Sequence, residues 1–177
     1  MALNKWVACG AALAAAVSIG RPAAAEVVSA GQNGFETRAT VHVAAAPDKA
    51  YAALLQPARW WSSEHTSSGS AANLTLDARA GGCWCEKLND GGSVEHMRVV
   101  YFAPGKLLRL RGALGPLQGL GVEGAMTLSV KAAASGADIT MSFAAGGYVK
   151  DGFDALSKGV DHVLGEQLER LRKLIDG

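Results

Sequence analysis

The strongest periodic pattern in this sequence lies at its C-terminal end. After Asp151 and Gly152, apolar residues recur at intervals of three and four, at Phe153, Leu156, Val160, Val163, Leu164, Leu168, Leu171 and Ile175. This spacing predicts one amphipathic α-helix of about six turns with a continuous apolar side. Asp151 is placed to cap its N-terminus, and Lys173 lies in the last turn, where the helix dipole favours a cation. Such a helix has to cover an apolar surface elsewhere in the chain.

An antiparallel sheet is the predicted partner of this helix. Residues 35–43 alternate between mostly apolar and mostly polar side chains, which is the period of a half-buried strand. Further strands are predicted at residues 74–78, 83–88, 94–102, 107–111, 122–131 and 137–145. Pro47 and Pro57 each start a short helix after the first strand. The order predicts an α+β fold in which a curved sheet of about six to seven strands wraps around the long C-terminal helix.

The N-terminus has the pattern of a secretory signal peptide. Lys5 precedes an apolar run at residues 7–19, and Ala23-Ala24-Ala25 is a small-residue cleavage site. The apolar run is too short to cross about 30 Å of hydrocarbon, so a retained membrane anchor is disfavoured. We therefore expect a signal peptide at residues 1–25 and a periplasmic or secreted location. The remaining residues, 26–177, are expected to form one domain without a membrane span, beginning with a short polar leader.

Charge and composition narrow the possible partners. The chain has 17 Lys and Arg against 16 Asp and Glu, with no basic run. This balance disfavours nucleic acid and a polybasic membrane-binding surface. The glycine-rich residues 112–121 lack the spacing of a phosphate-binding loop, so no nucleotide is predicted there, and no other cofactor is predicted. The apolar side chains of this stretch instead predict a lid over an apolar cavity. The oligomeric state is not indicated by the sequence.

The strands at residues 83–88 and 94–102 are joined by the hairpin turn Asn89-Asp90-Gly91-Gly92. In a regular hairpin, one face carries Trp84, Met97, Val99 and Tyr101 together with Glu86 and Glu95. The opposite face carries Cys83, Cys85, His96 and Arg98. Three roles stay open for the two cysteines: packing as small apolar residues, a disulfide, or a metal site with His96 as a third ligand.

Several short motifs occur in the same order as these predicted elements. They are Ala45-Ala46-Pro47, Trp60-Trp61, Gly81-Gly82-Cys83-Trp84-Cys85-Glu86, Gly91-Gly92-Ser93-Val94-Glu95 and Pro104-Gly105-Lys106-Leu107-Leu108-Arg109-Leu110. This arrangement resembles the SRPBCC superfamily of START-like, helix-grip proteins, in the branch of activators of Hsp ATPase and polyketide cyclase-like proteins. The resemblance covers about residues 35–175. It implies a helix-grip fold with a deep, mostly apolar cavity, but no shared set of catalytic residues.

In a helix-grip fold, the cavity lies between the sheet and the C-terminal helix. The candidate ligand-binding residues are Trp60, Trp61, Trp84, Met97, Tyr101, Leu110, Met126, Met141, Phe143, Tyr148, Leu156 and Val160. Trp60 and Trp61 are expected at the cavity mouth, and Tyr148 is expected near the end of the cavity, where it would add a hydroxyl group. Glu86, His65 and His96 are the candidates for acid–base catalysis.

Three hypotheses of function remain open at this point. The preferred one is an exported protein that binds a small apolar ligand, either lipid-like or aromatic and polyketide-like. The second is a cyclase- or hydrolase-type enzyme that uses the same cavity with glutamate and histidine as acid and base. The third is a chaperone-activator-like interaction protein, which a cleaved signal peptide disfavours. A purely apolar cavity favours binding, whereas a carboxylate or histidine that is hydrogen-bonded inside the cavity favours catalysis.

Overall fold

The structure, a computed structural model, describes residues 24–177 of the chain. Its antiparallel sheet contains β1 (Ala24–Ala30), β2 (Gly34–Val43), β3 (Leu74–Leu76), β4 (Cys83–Lys87), β5 (Ser93–Ala103), β6 (Leu107–Gly112), β7 (Gly121–Ala132) and β8 (Ala137–Tyr148). The helices are α1 (Pro47–Leu54), α2 (Pro57–Trp60) and the long C-terminal α3 (Asp154–Asp176). The predicted α+β helix-grip fold is confirmed, with eight strands instead of six to seven.

The order of strands across the sheet is β1-β2-β8-β7-β6-β5-β4-β3. After β2 the chain leaves the sheet through α1 and α2 and returns at the opposite edge as β3. The helix α3 packs against β1 and β2, whereas α2 and the loops lie nearer to the edge formed by β3. This asymmetry leaves room between α3 and the strands around β5. Within residues 24–177, no helix is long and apolar enough to cross a membrane.

The segment expected to be a polar leader is a strand. Backbone pairing between β1 and β2 places Ala25 opposite Ala39 and Glu26 opposite Arg38. A side chain at Gly165 of α3 would come within 2.9 Å of Ala25, so glycine allows β1 and the helix to approach closely. The predicted signal peptide falls on residues 1–23, which lie outside the described residues, and on the first two residues of β1.

The long helix begins later than its sequence pattern indicates. Asp151 does not cap it, because the chain first turns at Gly152 (φ +74°) and buries Phe153 in the core. The Phe153 ring lies 5.7 Å from the ring of Phe35, measured between centroids, and its backbone N–H donates to Gly31. Burial of this aromatic side chain therefore takes the place of a side-chain cap.

A β-bulge in β5 changes the predicted register of the β4–β5 hairpin. Trp84 pairs with Met97 as expected, but His96 is an extra residue, so that Cys85 pairs with Glu95. A bulge gives two consecutive residues the same side of the sheet. His96 and Met97 are therefore both buried on the inner face. The expectation that His96 shares a face with Cys85 is wrong.

The same bulge separates Glu86 and Glu95, two carboxylates that a regular hairpin would carry on one face. Glu86 pairs with Val94 and is buried on the inner face. Glu95 lies on the exposed outer face, where its carboxylate forms an ion pair with Arg98. The expectation that Glu86 and Glu95 share a face is therefore wrong.

A second bulge lies between Val99 and Tyr101, where β5 pairs with β6. It turns Tyr101 to the outer face, where the residue is 52% exposed and its ring lies 5.9 Å from the Arg109 guanidinium carbon. The prediction that Tyr101 lines the interior is therefore wrong. The two corrections in β5 have one physical cause, because each bulge reverses the alternation of inner and outer residues.

Candidate binding and proton-transfer site

A cavity of about 500 Å³ opens beside the N-terminal half of α3. One wall is formed by α3 from Ala155 to Leu164, and a second wall by the glycine-rich segment from Leu114 to Leu117. Residues 64–67, which belong to the polar loop after α2, form part of its rim, together with the ring of Trp61. His96 of β5 reaches the cavity from the sheet.

The cavity exists because the two halves of α3 pack differently. Leu168 and Leu171, in the C-terminal half, are fully buried in the core. Leu156, Val160 and Val163, in the N-terminal half, are only partly buried and face the cavity. The helical apolar stripe is continuous, but the core fills the space beneath only part of it.

The glycine-rich segment supplies the wall that was predicted to be a lid. Leu114, Pro116 and Leu117 line the cavity, and Leu117 is also buried in the core. A short 3-10 turn at Gly115–Gly119 directs these side chains inward, with Gly115 in the left-handed region at φ +51°. Leu120, the fourth apolar residue of the segment, is 40% exposed and does not line the cavity.

The segment that carries Trp61 is fastened to α3 by two polar contacts. The backbone N–H of Ser62 donates to Oε1 of Gln167 at 2.6 Å, and Nε of Arg170 donates to the carbonyl oxygen of Trp60 at 3.0 Å. Gln167 is fully buried, so its contact is shielded from water. These bonds fix Trp61 at the rim of the cavity, while Trp60 is buried behind it in the core.

A histidine–carboxylate pair, Glu86 and His96, stands where the sheet meets the cavity. Nε2 of His96 lies 2.8 Å from Oε2 of Glu86, and the two side chains are 8% and 0% exposed. We call these two residues the buried pair. The bulge in β5 makes it possible, because a regular strand would carry His96 on the opposite face.

The polar loop holds the carboxylate of the buried pair. Backbone N–H groups of Ser67 and Ser68 donate to its two oxygens at 3.1 and 2.5 Å. Burial raises the pKa of Glu86, but the hydrogen bonds from Ser68, Ser67 and His96 outweigh it and hold the pKa below its usual value. Glu86 is thus an ionised carboxylate at neutral pH.

An ionised carboxylate decides how His96 is protonated. Because the Glu86 carboxylate only accepts hydrogen bonds, Nε2 of His96 must carry a hydrogen and donate it. In the neutral imidazole, Nδ1 then keeps a free lone pair. Nδ1 has no hydrogen-bond partner among the described residues. In this neutral form, His96 brings a hydrogen-bond acceptor to the lining of the cavity.

A small recess adjoins the cavity at its inner end. It has a volume of about 20 Å³ and shares Trp61 and His96 with the cavity, while Leu74 and Trp84 belong to the recess alone. The rings of Trp61 and Trp84 meet edge to face, with centroids 5.0 Å apart. The indole N–H of Trp84 is buried and has no hydrogen-bond partner in the part of the chain that is described.

His65 lies at the rim. Its Nε2 is 3.4 Å from Oε2 of Glu166 on α3, and both side chains are about one-third exposed. Its backbone carbonyl accepts a hydrogen bond from the Trp61 indole at 2.9 Å. The structure thus brings His65 and His96 to the same cavity, but only His96 is buried against a carboxylate that is held by backbone amides.

The predicted ligand-binding residues separate into three groups. Trp61, Leu156 and Val160 line the cavity, and Trp84 lines the recess. Others are packed into the core and reach neither space: Trp60, Met97, Leu110, Met126, Met141 and Phe143. Their placement in the cavity wall was wrong, because the centre of the sheet is filled by side chains instead of being hollow. Tyr148 also lies outside the cavity and is 75% exposed at the end of β8.

The two cysteines of β4 are joined by a disulfide. Cys83 and Cys85 have Cα atoms 5.4 Å apart and lie on the outer face of the sheet. His96 lies on the inner face, so the metal site once considered for these three residues is excluded by the geometry. No cluster of three or more potential metal ligands occurs within residues 24–177.

Comparison with known proteins agrees with this fold. The family described as polyketide cyclase / dehydrase and lipid transport matches residues 35–176. The chain belongs to this family. The resemblance to the SRPBCC superfamily is thereby confirmed, although the family description covers both catalysis and transport and does not choose between them. No curated protein matches the chain.

Solved structures of similar fold come from several bacteria. A protein from Mesorhizobium loti has a TM-score of 0.57 and 19% identity over 80% of this chain and 96% of that one. A protein from Chromobacterium violaceum has a TM-score of 0.57 and 20% identity over 80% of this chain and 97% of its own. The di-domain ARO/CYC StfQ from the steffimycin biosynthetic pathway has a TM-score of 0.53 and 17% identity over 81% of this chain and 51% of its own. At these identities the likeness concerns the fold alone.

Proposed function

We propose that this protein binds a small, mostly apolar molecule in the cavity beside α3. The observation that carries the proposal is the cavity itself: its volume of about 500 Å³ lies in the range of small-molecule sites. Leu156, Val160 and Leu117 supply apolar walls, and the polar side chains are gathered at the rim and at the inner end. Membership of a family described in part by lipid transport supports the same function.

The test of binding uses a neutral apolar fluorophore, N-phenylnaphthylamine, and two matched variants of one helix turn. Gly159 faces the cavity with open space around it, so Gly159→Phe would fill the cavity. Lys158→Phe places the same ring on the exposed side of α3. We expect the first variant to weaken binding roughly tenfold or more and the second to leave it unchanged. Equal affinities for both variants would place the binding site elsewhere.

We also propose that the protein is exported, with cleavage after Ala25. The charged start, the apolar run and the alanine-rich site support this location. The test is to express the full chain in a bacterial host, isolate the periplasmic fraction and determine the N-terminus of the recovered protein. Export predicts a chain that begins at Glu26. A full-length chain in the cytoplasm would contradict it.

A second candidate function is proton-transfer catalysis, which the buried pair specifically favours. Nδ1 of His96 would take a proton from a carbon next to a carbonyl group, and the C–H electron pair would form the enolate. A simple test measures deuterium exchange at the α-carbon of tetralone in heavy water. A rate above that of the His96→Phe variant would support catalysis, whereas equal rates would leave binding as the function.

A further inference from the structure

The inner recess has room for one small polar group. Its volume of about 20 Å³ corresponds to roughly a single water-sized group. Because it adjoins the cavity through Trp61 and His96, a ligand in the cavity could place one atom there. The chemistry of the recess therefore indicates which atom the ligand carries at its inner end.

Two of the side chains that line the recess, His96 and Trp84, each have a polar atom without a hydrogen-bond partner among the described residues. The acceptor is Nδ1 of His96, whose lone pair is fixed by the hydrogen bond from Nε2 to the Glu86 carboxylate. The donor is the indole N–H of Trp84, which is buried without a partner in the described part of the chain. An unpaired buried donor is costly, so a ligand atom that satisfies it gains affinity.

Few single groups can satisfy both atoms. A carbonyl or ether oxygen would accept from Trp84 but would leave His96 without a donor. A hydroxyl group does both, because its hydrogen points to one partner while its oxygen accepts from the other. A phenolic or enolic hydroxyl forms the strongest hydrogen bond here, because it is a more acidic donor than an alcohol. Its acceptor is an imidazole whose other nitrogen is hydrogen-bonded to a carboxylate.

We propose that the ligand of this cavity is an apolar molecule with a terminal hydroxyl group, phenolic or enolic, and that this hydroxyl forms hydrogen bonds with His96 and Trp84. The O–H donates to Nδ1 of His96, and its oxygen accepts from Nε1 of Trp84. The apolar body of the ligand lies against Leu156 and Val160 of α3. This inference rests on the proposed binding function and adds to it the chemical group that the protein recognises.

The test compares two probes of nearly equal size, naphthol and fluoronaphthalene, by isothermal titration calorimetry. Both bury the same ring system, but only naphthol carries a hydroxyl. We expect naphthol to bind roughly tenfold more tightly to the unmodified protein, the effect of about one hydrogen bond to a charge-backed acceptor. His96→Phe removes the acceptor, and Trp84→Phe removes the donor. Each is expected to bring the ratio of the naphthol affinity to the fluoronaphthalene affinity close to one.

His42→Phe is the matched control, because this histidine is paired with Asp138 on the exposed outer face. It should leave the affinities for both probes unchanged. If His96→Phe lowers both affinities equally, the histidine has only a structural role and the inference is overturned. If His96→Phe does not fold, the two probes with the unmodified protein and with Trp84→Phe still decide the question.

Failure of the inference is distinguishable from failure of the proposed function. Equal binding of both probes, weakened by Gly159→Phe, overturns recognition of the hydroxyl group but keeps the apolar site. Binding of either probe that Gly159→Phe does not weaken, or no binding at all, contradicts the proposed site itself.

Discussion

Two histidine–carboxylate pairs in this protein have the same chemistry and nearly the same distance. His42 and Asp138 lie 2.9 Å apart on the outer face of β2 and β8, and their side chains are 38% and 49% exposed. His96 and Glu86 lie 2.8 Å apart, and their side chains are 8% and 0% exposed. Only the second carboxylate also accepts two backbone N–H groups. A short distance between a histidine and a carboxylate therefore says little about the strength of the contact until burial and further partners are known.

The difference teaches how a site is built from ordinary residues. The outer pair is surrounded by water, which screens it and competes for its hydrogen bonds. The buried pair is shielded from water by Trp61, Trp84 and the polar loop, so each of its hydrogen bonds contributes more to the stability of the fold. Three measurements of stability and one spectroscopic measurement can test this contrast.

Removing the two carboxylates separately should give unequal losses of stability. Glu86→Ala leaves the N–H groups of Ser67 and Ser68 and the ring of His96 without their acceptor, so we expect a loss of about 3–5 kcal/mol. Asp138→Ala should cost less than about 1 kcal/mol, as is usual for exposed pairs. Urea unfolding followed by circular dichroism measures both. Similar losses would show that the buried pair does not differ from the exposed one.

Lowering the pH should reduce the contribution of the buried pair to the stability of the fold. The pKa of Glu86 in the folded protein lies below its usual value near 4.5, so ionised Glu86 stabilises the fold at every pH above that value. This contribution is lost as the pH falls from about 4.5 through the lower folded-state pKa. We expect the stability difference between the unmodified protein and Glu86→Gln to be constant near neutrality and to shrink in acid. A difference that grows in acid would have the wrong sign.

The disulfide lies on the same strand as Glu86 but on the opposite face, and its loss should have a smaller effect. The loop that it closes contains only Trp84, so in the unfolded chain it restrains few residues. We expect Cys83→Ser with Cys85→Ser to lower stability by about 1–2 kcal/mol. The affinity for N-phenylnaphthylamine should not change. A large loss of binding would show that the outer face of β4 supports the buried pair.

The smallest expected effect is a difference between His96 and His42 in which ring nitrogen carries the hydrogen. This difference does not change the stability of the fold. His96 contacts its carboxylate through Nε2, whereas His42 uses Nδ1. The neutral rings should therefore carry hydrogen on different nitrogens, which nitrogen-15 NMR of the imidazoles distinguishes. We also expect the Nε2 hydrogen of His96 to exchange with water more slowly, because its side chain is buried. The same tautomer in both rings would contradict this description.

The sequence pattern was sufficient for the fold but not for the site. Alternation and helical spacing are local, so they predicted β2 and the apolar side of α3 well. They could not show that Met126 and Phe143 are packed in the core while Leu156 and Val160 face a cavity, because all four are equally apolar. Whether an apolar residue is packed in the core or faces the cavity depends on how closely α3 approaches the sheet, and the sequence of a single segment does not determine that distance.

The hydrogen bonds that hold the buried pair in place could not be predicted from the sequence either. Ser67 and Ser68 bind Glu86 through their backbone N–H groups, and such donors do not depend on residue type. The meeting of Glu86 with His96 depends on an extra residue that is defined only against the partner strand. Glu86 and His96 are both predicted from the sequence as candidates for proton transfer, and the bulge in β5 is the reason why their side chains meet.

The bulge at His96 makes the site depend on chain length as well as on residue type. Deletion of Glu95 would place His96 opposite Cys85, while Trp84 and Glu86 would keep their partners Met97 and Val94. The histidine would then lie on the outer face without any substitution. An alignment that scored only residue identity would still find both members of the pair, yet the deleted protein would lack the contact between them. A single-residue deletion in this strand is therefore a loss-of-site mutation in a chain that retains every site residue.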